Sequence, residues 1–120
     1  MTENSIDLKQ LLFLIREQKD LEINYILDEG CVLETEDAKP LIKVINYFIN
    51  YLAQLTQHPL EISLDLLPET YKLSFLAFCN LETFPDLSDQ IQTALDDYKA
   101  TFEAAHTPEK YARINVMFKR

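Results

Sequence analysis

The chain has 120 residues and a hydrophobic fraction of 48%, which allows one folded domain with its own core and argues against disorder. Its formal net charge of -9 argues against nucleic acid as a ligand, because a phosphate backbone needs lysine and arginine opposite it. The same charge disfavours anionic membrane surfaces, and no stretch is long and apolar enough to span a bilayer. We therefore expect a single domain over residues 1–120 that binds neither nucleic acid nor membrane.

The start of the chain and its two cysteines indicate the compartment. Residues Met1 to Ser5 lack a basic region followed by an apolar run, so we expect no signal peptide and a cytoplasmic location. Cys31 and Cys79 are too few and too widely spaced for a zinc ribbon or a redox pair. We expect both to be small buried side chains, and the sequence leaves open whether they are paired. No cluster of histidine, cysteine and carboxylate has ligand spacing, so we expect no metal and no cofactor.

The first half of the chain is predicted to form two helices separated by two strands. Residues 6–18 carry apolar side chains at helical spacing, and residues 21–27 alternate between apolar and polar. After a turn at Gly30, residues 31–34 can return as a hairpin partner. Residues 37–56 predict a long helix that is apolar over most of its circumference, so it must be covered on more than one side.

The second half is predicted to form a hairpin, a helix and a last strand. Residues 60–66 and 71–78 both alternate and form the hairpin. A helix begins at Pro85 and ends before Pro108, and residues 111–118 form the last strand. The order α-β-β-α-β-β-α-β predicts an α+β fold: a two-layer sandwich with a mostly antiparallel sheet and helices on one face.

The stretch from Glu36 to Thr56 carries a family resemblance. In it an aspartate, Asp37, precedes an amphipathic helix that bears two asparagines four residues apart, Asn46 and Asn50, and ends in threonine. Together with the order of elements, this stretch resembles the ATP-binding catalytic domain of bacterial sensor histidine kinases. The wider group is the gyrase, heat-shock chaperone, histidine kinase and mismatch-repair ATPase superfamily. The resemblance implies that a nucleotide, if one binds, would be held with magnesium by these asparagines.

The chain departs from that family at its nucleotide motifs. When Val44 and Thr56 are matched to the family's flanking positions, Tyr47 and Tyr51 occupy the asparagine positions. The segment Cys79–Phe84 lacks the family's Asp-x-Gly-x-Gly loop, the one glycine of the chain cannot supply a glycine-rich lid, and the family's last strand has no counterpart. We therefore expect a degenerate relative that has no catalytic residues, binds no nucleotide and is not an enzyme.

The outer face of the predicted sheet carries apolar residues where polar ones are expected. They are Ile26, Leu76, Phe78 and Met117. Contiguous exposed apolar area marks interaction surfaces. We therefore expect a protein-interaction or regulatory module, linked to two-component-type signalling, whose partner is another protein or a second copy of the chain.

Two alternative functions stay open. One is a nucleotide-binding protein or ATPase that uses Asn46 and Asn50. The other is a small-ligand binder with a pocket lined by Tyr47, Tyr51 and Phe75. The sequence identifies neither the partner nor the oligomeric state.

Overall fold

A computed structural model describes residues 5–35 and 37–120, which form seven strands and three helices. Residues 1–4 and Glu36, the first residue of the stretch that resembles the kinases, lie outside the described residues. The elements are β1 (Ser5–Asp7), α1 (Leu8–Glu17), β2 (Ile23–Leu27), β3 (Val32–Glu34), α2 (Lys39–Ala53), β4 (Leu60–Leu66), β5 (Thr70–Phe78), α3 (Ile91–Asp96), β6 (Ala100–Thr107) and β7 (Tyr111–Lys119).

Five of the strands form the main sheet, in the order β2-β4-β5-β7-β6. Every pairing in it is antiparallel except that of β2 with β4. Alternate residues of the central strands, such as Leu73 and Phe75, are fully buried under α2, which packs on β4 and β5. The predicted α+β class, with a mostly antiparallel sheet and helices on one face, is confirmed. We call the opposite face of the sheet, on which Ile26 and Phe78 are exposed, the open face.

The predicted hairpin of residues 21–27 with 31–34 is wrong. Strand β2 pairs in parallel with β4, with Ile23 opposite Leu60, and β3 pairs with β1 in a separate two-stranded sheet. The cause lies at Asp28, which keeps the chain on β4 after β2 ends. Its backbone N–H donates to the carbonyl oxygen of Leu64, and its carboxylate accepts from the backbone N–H of Leu66. The chain therefore stays beside β4 up to Asp28 and turns away only at Gly30.

The helix predicted between Pro85 and Pro108 is only partly correct. Helix α3 covers Ile91–Asp96, Lys99 has a φ of 53°, and Ala100–Thr107 forms β6 along β7. Apolar residues at 95, 98 and 102 satisfy a helical period, but Ala100 and Phe102 equally satisfy the two-residue period of a strand. Two strands, β6 and β7, follow α3, so the expectation that the last strand is missing is wrong.

Helix α2 lies at the centre of the core. The ring of Phe48 is 5.5 Å from that of Phe75 on β5 and 5.7 Å from that of Phe102 on β6. Aromatic contacts at these separations contribute beyond the area that they bury. In the described part of the chain, no helix is both long and apolar enough to cross a membrane.

The start of α2 is held by Tyr98, which follows α3. The Tyr98 hydroxyl donates to the carbonyl oxygen of Asp37 at 2.7 Å and accepts from the backbone N–H of Leu41 at 3.0 Å. The Asp37 carboxylate accepts from the N–H of Lys39 at 2.9 Å. These bonds satisfy donors that the first turn of any helix leaves unpaired. They also fix α2 to the region of α3.

Candidate functional site

The segment 79–90 after β5 is in direct contact with helix α2. The Tyr51 hydroxyl donates to the carbonyl oxygen of Pro85 at 2.5 Å. One helical turn earlier, the Tyr47 hydroxyl accepts from the backbone N–H of Ser88 at 2.9 Å. The two tyrosines therefore tie the segment to the helix at two points, and they occupy the positions that matching the flanks assigns to the family's asparagines.

The two asparagines lie on a different face of α2. Asn50 is exposed, and its side-chain oxygen accepts from Nζ of Lys19, which follows α1, at 3.1 Å. Asn46 is half-buried one turn before it. One position along a helix is a rotation of about 100°. The structure therefore brings the tyrosines, and not Asn50, to the segment 79–90.

A groove of about 460 Å³ lies between the first half of α2 and α3. Its lining residues are Asp37, Lys39, Pro40, Lys43, Val44, Tyr47, Ser88, Gln90, Ile91 and Ala94. Lys39 and Lys43 are one turn apart and exposed, while Val44 and Ile91 form an apolar floor. The groove can therefore accept a ligand that has both an anionic and an apolar part.

Burial raises the pKa of two tyrosine hydroxyls in this region. Desolvation raises the pKa of Tyr51, and the neighbouring Tyr47 and Asp86 add to the shift. Desolvation also raises the pKa of Tyr98, whereas its hydrogen bond from Leu41 lowers it. At neutral pH both hydroxyls therefore keep their proton, which is needed for the bonds that they donate.

The predicted ligand pocket lined by Tyr47, Tyr51 and Phe75 does not form. Phe75 is fully buried and packs on Phe48, so the helix and the sheet are in direct contact there. Of the three predicted side chains, Tyr47 lines the groove described above and the other two do not.

The four predicted interaction residues all lie on the open face. The exposed fraction is 75% for Ile26 and 43% for Phe78, while Leu76 and Met117 are half-buried. They do not form one continuous apolar patch. In the row of the sheet that begins at Ile26, the neighbours across the strands are polar: Ser63, Ser74, Asn115 and Glu103. The open face therefore combines separate apolar side chains with a polar row.

Asn115 in this row was not singled out from the sequence. Its side chain is polar but buried, with an exposed fraction of 4%. Its amide nitrogen donates to Glu103 at 3.3 Å, and its buried Oδ1 has no partner among the described residues. A polar residue in the middle of the strand was visible in the sequence, but its burial depends on the side chains around it.

The cysteines and histidines form no reactive centre in the described residues. Cys31 and Cys79 are buried and free, so they are not paired. Burial is the largest cause that raises the pKa of the Cys31 thiol, which keeps it protonated. The ring of His106 packs against that of Phe84 in a tilted arrangement, with ring centroids 4.3 Å apart. The described part contains no group of residues able to hold a metal ion.

No protein-family model and no curated protein sequence matches the chain. Solved structures do match. The histidine kinase domain of the E. coli osmosensor EnvZ superposes with a TM-score of 0.74 at 12% identity, covering 99% of this chain and 89% of that one. The catalytic domain of histidine kinase ThkA gives 0.69 at 12% identity, covering 99% and 98% of the two chains. The histidine kinase AdeS of Acinetobacter baumannii gives 0.71 at 12% identity, covering 99% and 68%.

The chain has the histidine kinase catalytic-domain fold. This agrees, at the level of the fold, with the family resemblance in the sequence. The expectation that the chain is not an enzyme is wrong, because the structures that it matches are catalytic domains of histidine kinases.

Proposed function

We propose that this kinase-like domain works in two-component-type signalling in the cytoplasm, as one domain that docks onto a histidine kinase or a response regulator. The observation that carries the proposal is the open face of the sheet. Ile26 and Phe78 are 75% and 43% exposed on a face that no helix of the described residues covers. Leu76 is two residues before Phe78 on this face of β5, and contiguous exposed apolar area marks interaction surfaces.

The composition of the open face favours a transient contact. Polar Ser63, Ser74 and Asn115 lie side by side across three strands. The apolar Ile26 lies beside Ser63 at one edge, and Met117 lies two residues along β7 from Asn115. Non-obligate interfaces are about as apolar as the rest of a protein surface and combine anchors with hydrogen bonds. A signalling contact that must form and dissociate has this mixed character.

The test is a binding titration with the cytoplasmic parts of histidine kinases and with response regulators. The double variant Ile26→Glu/Phe78→Glu places charges at both exposed apolar positions, and we expect it to lose binding. Leu14→Glu is the matched control, because Leu14 is 57% exposed but lies on α1, away from the open face. Binding by the double variant that equals the control, or the absence of any partner, would overturn the proposal.

A second candidate function is nucleotide binding in the groove between α2 and α3. Lys39 and Lys43 favour it, since they place two cations at an apolar groove of about 460 Å³. Calorimetry with magnesium-ATP decides between the outcomes. We expect Lys43→Glu to abolish the heat of binding and Lys72→Glu, on β5, to leave it unchanged. No heat with the unmodified chain removes this candidate and leaves the docking proposal standing.

A further inference from the structure

Strand β6 is one edge of the main sheet. Its eight residues, Ala100–Thr107, pair with β7 on one side only. The pairing runs without a bulge from Ala100 opposite Phe118 to Thr107 opposite Tyr111. Regular edge strands are templates for the addition of another strand.

The backbone groups of β6 that point away from β7 can be identified from the ladder. The carbonyl oxygen of Lys99, just before the strand, accepts from the N–H of Lys119 on β7. In an antiparallel ladder alternate residues bond to the neighbouring strand. The residues at 101, 103, 105 and 107 therefore bond to β7, and those at 100, 102, 104 and 106 point to the free edge. Consistently, the carbonyl oxygen of Ala100 accepts from the side chain of Gln92 instead of from β7.

The side chains of β6 do not protect this edge. Natural edge strands are usually guarded by lysine, proline, bulges or inward-pointing charges. Strand β6 has no lysine or proline, and Glu103 is its one acidic residue. Ala104, Ala105 and His106 are exposed. The chain as a whole is strongly acidic, with 20 acidic residues and a net charge of -9, but only one of those acidic residues lies on β6. A second copy that approaches this edge therefore meets little local charge repulsion.

Two copies can pair along this edge in one favourable register. A two-fold axis normal to the sheet places the same face of both copies on the same side of the joined sheet. Because alternate residues point to opposite faces, odd-numbered residues of β6 must then lie opposite odd-numbered residues of the second copy, and even-numbered opposite even-numbered. With Ala104 on the axis, Phe102 lies opposite His106 of the second copy, and Glu103 lies opposite Ala105. With Glu103 on the axis, two carboxylates oppose each other, which is unfavourable.

We propose that β6 pairs with β6 of a second copy of this chain, antiparallel and centred on Ala104, joining the two five-stranded sheets into one. The free backbone groups at positions 102, 104 and 106 form the new ladder. Phe102 and His106, which already contacts Phe84, then form an aromatic cross-strand pair at each end. This contact uses the edge of the sheet, so it is separate from docking on the open face.

Sedimentation of the full chain tests the proposal first. We expect the unmodified chain to form a dimer. In Ala104→Pro the dissociation constant of that dimer should rise about tenfold or more, because the proline removes an edge N–H and with it the central hydrogen bonds. The fold tolerates this proline, because the N–H of Ala104 points away from β7. Ala104→Lys, which sets two cations on the axis, should act in the same direction.

Ala105→Lys is the matched control. Its lysine lies on the other face of the same strand, opposite Glu103 of the second copy, so we expect the dimer to persist or to become tighter. The thermal unfolding midpoint of each variant shows whether it is folded. A monomeric unmodified chain overturns the proposal, and so does a dimer that Ala104→Pro leaves unchanged.

Cross-linking tests the register. In a hydrogen-bonded pair the Cα atoms are about 5.5 Å apart, within the range of a disulfide. Ala104→Cys should therefore cross-link to itself under mild oxidation, whereas Thr101→Cys, about 20 Å from its copy in this register, should not. The native Cys31 and Cys79 are buried, so the unmodified chain is the blank. Equal cross-linking of Glu103→Cys and Ala104→Cys would overturn the register.

Discussion

The hydroxyl group of Tyr51 on α2 donates a hydrogen bond to the carbonyl oxygen of Pro85, with 2.5 Å between the two oxygens. Together with the bond from Ser88 to Tyr47, it fastens the segment 79–90 to the helix. The segment contains no glycine and little regular structure. Its position therefore depends on side-chain hydrogen bonds that single substitutions can remove.

Replacing Tyr51 with phenylalanine should loosen this segment. The variant keeps the ring but leaves the carbonyl oxygen of Pro85 without its donor, so we expect the free energy of unfolding to fall by about 1 kcal/mol. Amide exchange should become faster in residues 80–90. Tyr111→Phe is the control, because no hydrogen bond of the Tyr111 hydroxyl is found within the described residues. Equal losses in urea unfolding for the two variants would contradict this interpretation.

Tyr98→Phe should destabilise the chain more than Tyr51→Phe. The Tyr98 hydroxyl donates to Asp37 and accepts from Leu41, so its removal leaves two backbone groups unpaired at the start of α2. Buried groups left without partners cost about 1–3 kcal/mol. The measurement is again urea unfolding. A loss below that of Tyr51→Phe would show that water replaces both bonds.

The chain should lose stability at alkaline pH, partly through Tyr25. Burial raises the pKa of Tyr25 to about 12 from its usual 10.0, against the opposing effect of Arg16. Because the folded state favours the neutral hydroxyl, this contribution is complete below pH 10 and is lost as the pH rises through about 12. In Tyr25→Phe the free energy of unfolding should fall less steeply across this window. Tyr51, Tyr98 and Cys31, whose pKa values are also raised, contribute to the slope in the same direction.

Asn115→Val should be neutral or stabilising by up to about 1 kcal/mol. The substitution removes a buried oxygen that has no partner in the described residues, at the cost of one long hydrogen bond to the exposed Glu103. Ser74→Val, on the neighbouring strand of the same row, corrects for the general preference of strands for valine. If Asn115→Val instead lowers stability relative to Ser74→Val, an ordered water satisfies the oxygen.

Much of the fold followed from local patterns. The alternation in residues 60–66, 71–78 and 111–118 predicted β4, β5 and β7, and the apolar circumference of residues 37–56 predicted the central helix. The same spacing failed for residues 85–107, where the side chains of α3 and β6 satisfy a helical and a strand period over a short stretch. Strand β1 has three residues, too few for any period to be visible.

The candidate site divides in the same way. Matching Val44 and Thr56 to the family placed Tyr47 and Tyr51 at the asparagine positions, and the structure brings these tyrosines to the segment 79–90. The burial of Asn115 and the groove beside Lys43 had no sequence signal, because each depends on residues from separate elements.

By itself the amino-acid sequence determined which side chains are buried in most elements, because alternation and helical spacing are properties of neighbouring residues. The tertiary structure decided which strands pair, and it decided that α2 turns its tyrosines to the segment 79–90 and Asn50 to Lys19. Those choices depend on contacts between distant parts of the chain. An example is the hydrogen bond from the backbone N–H of Asp28 to the carbonyl oxygen of Leu64, which keeps the chain beside β4.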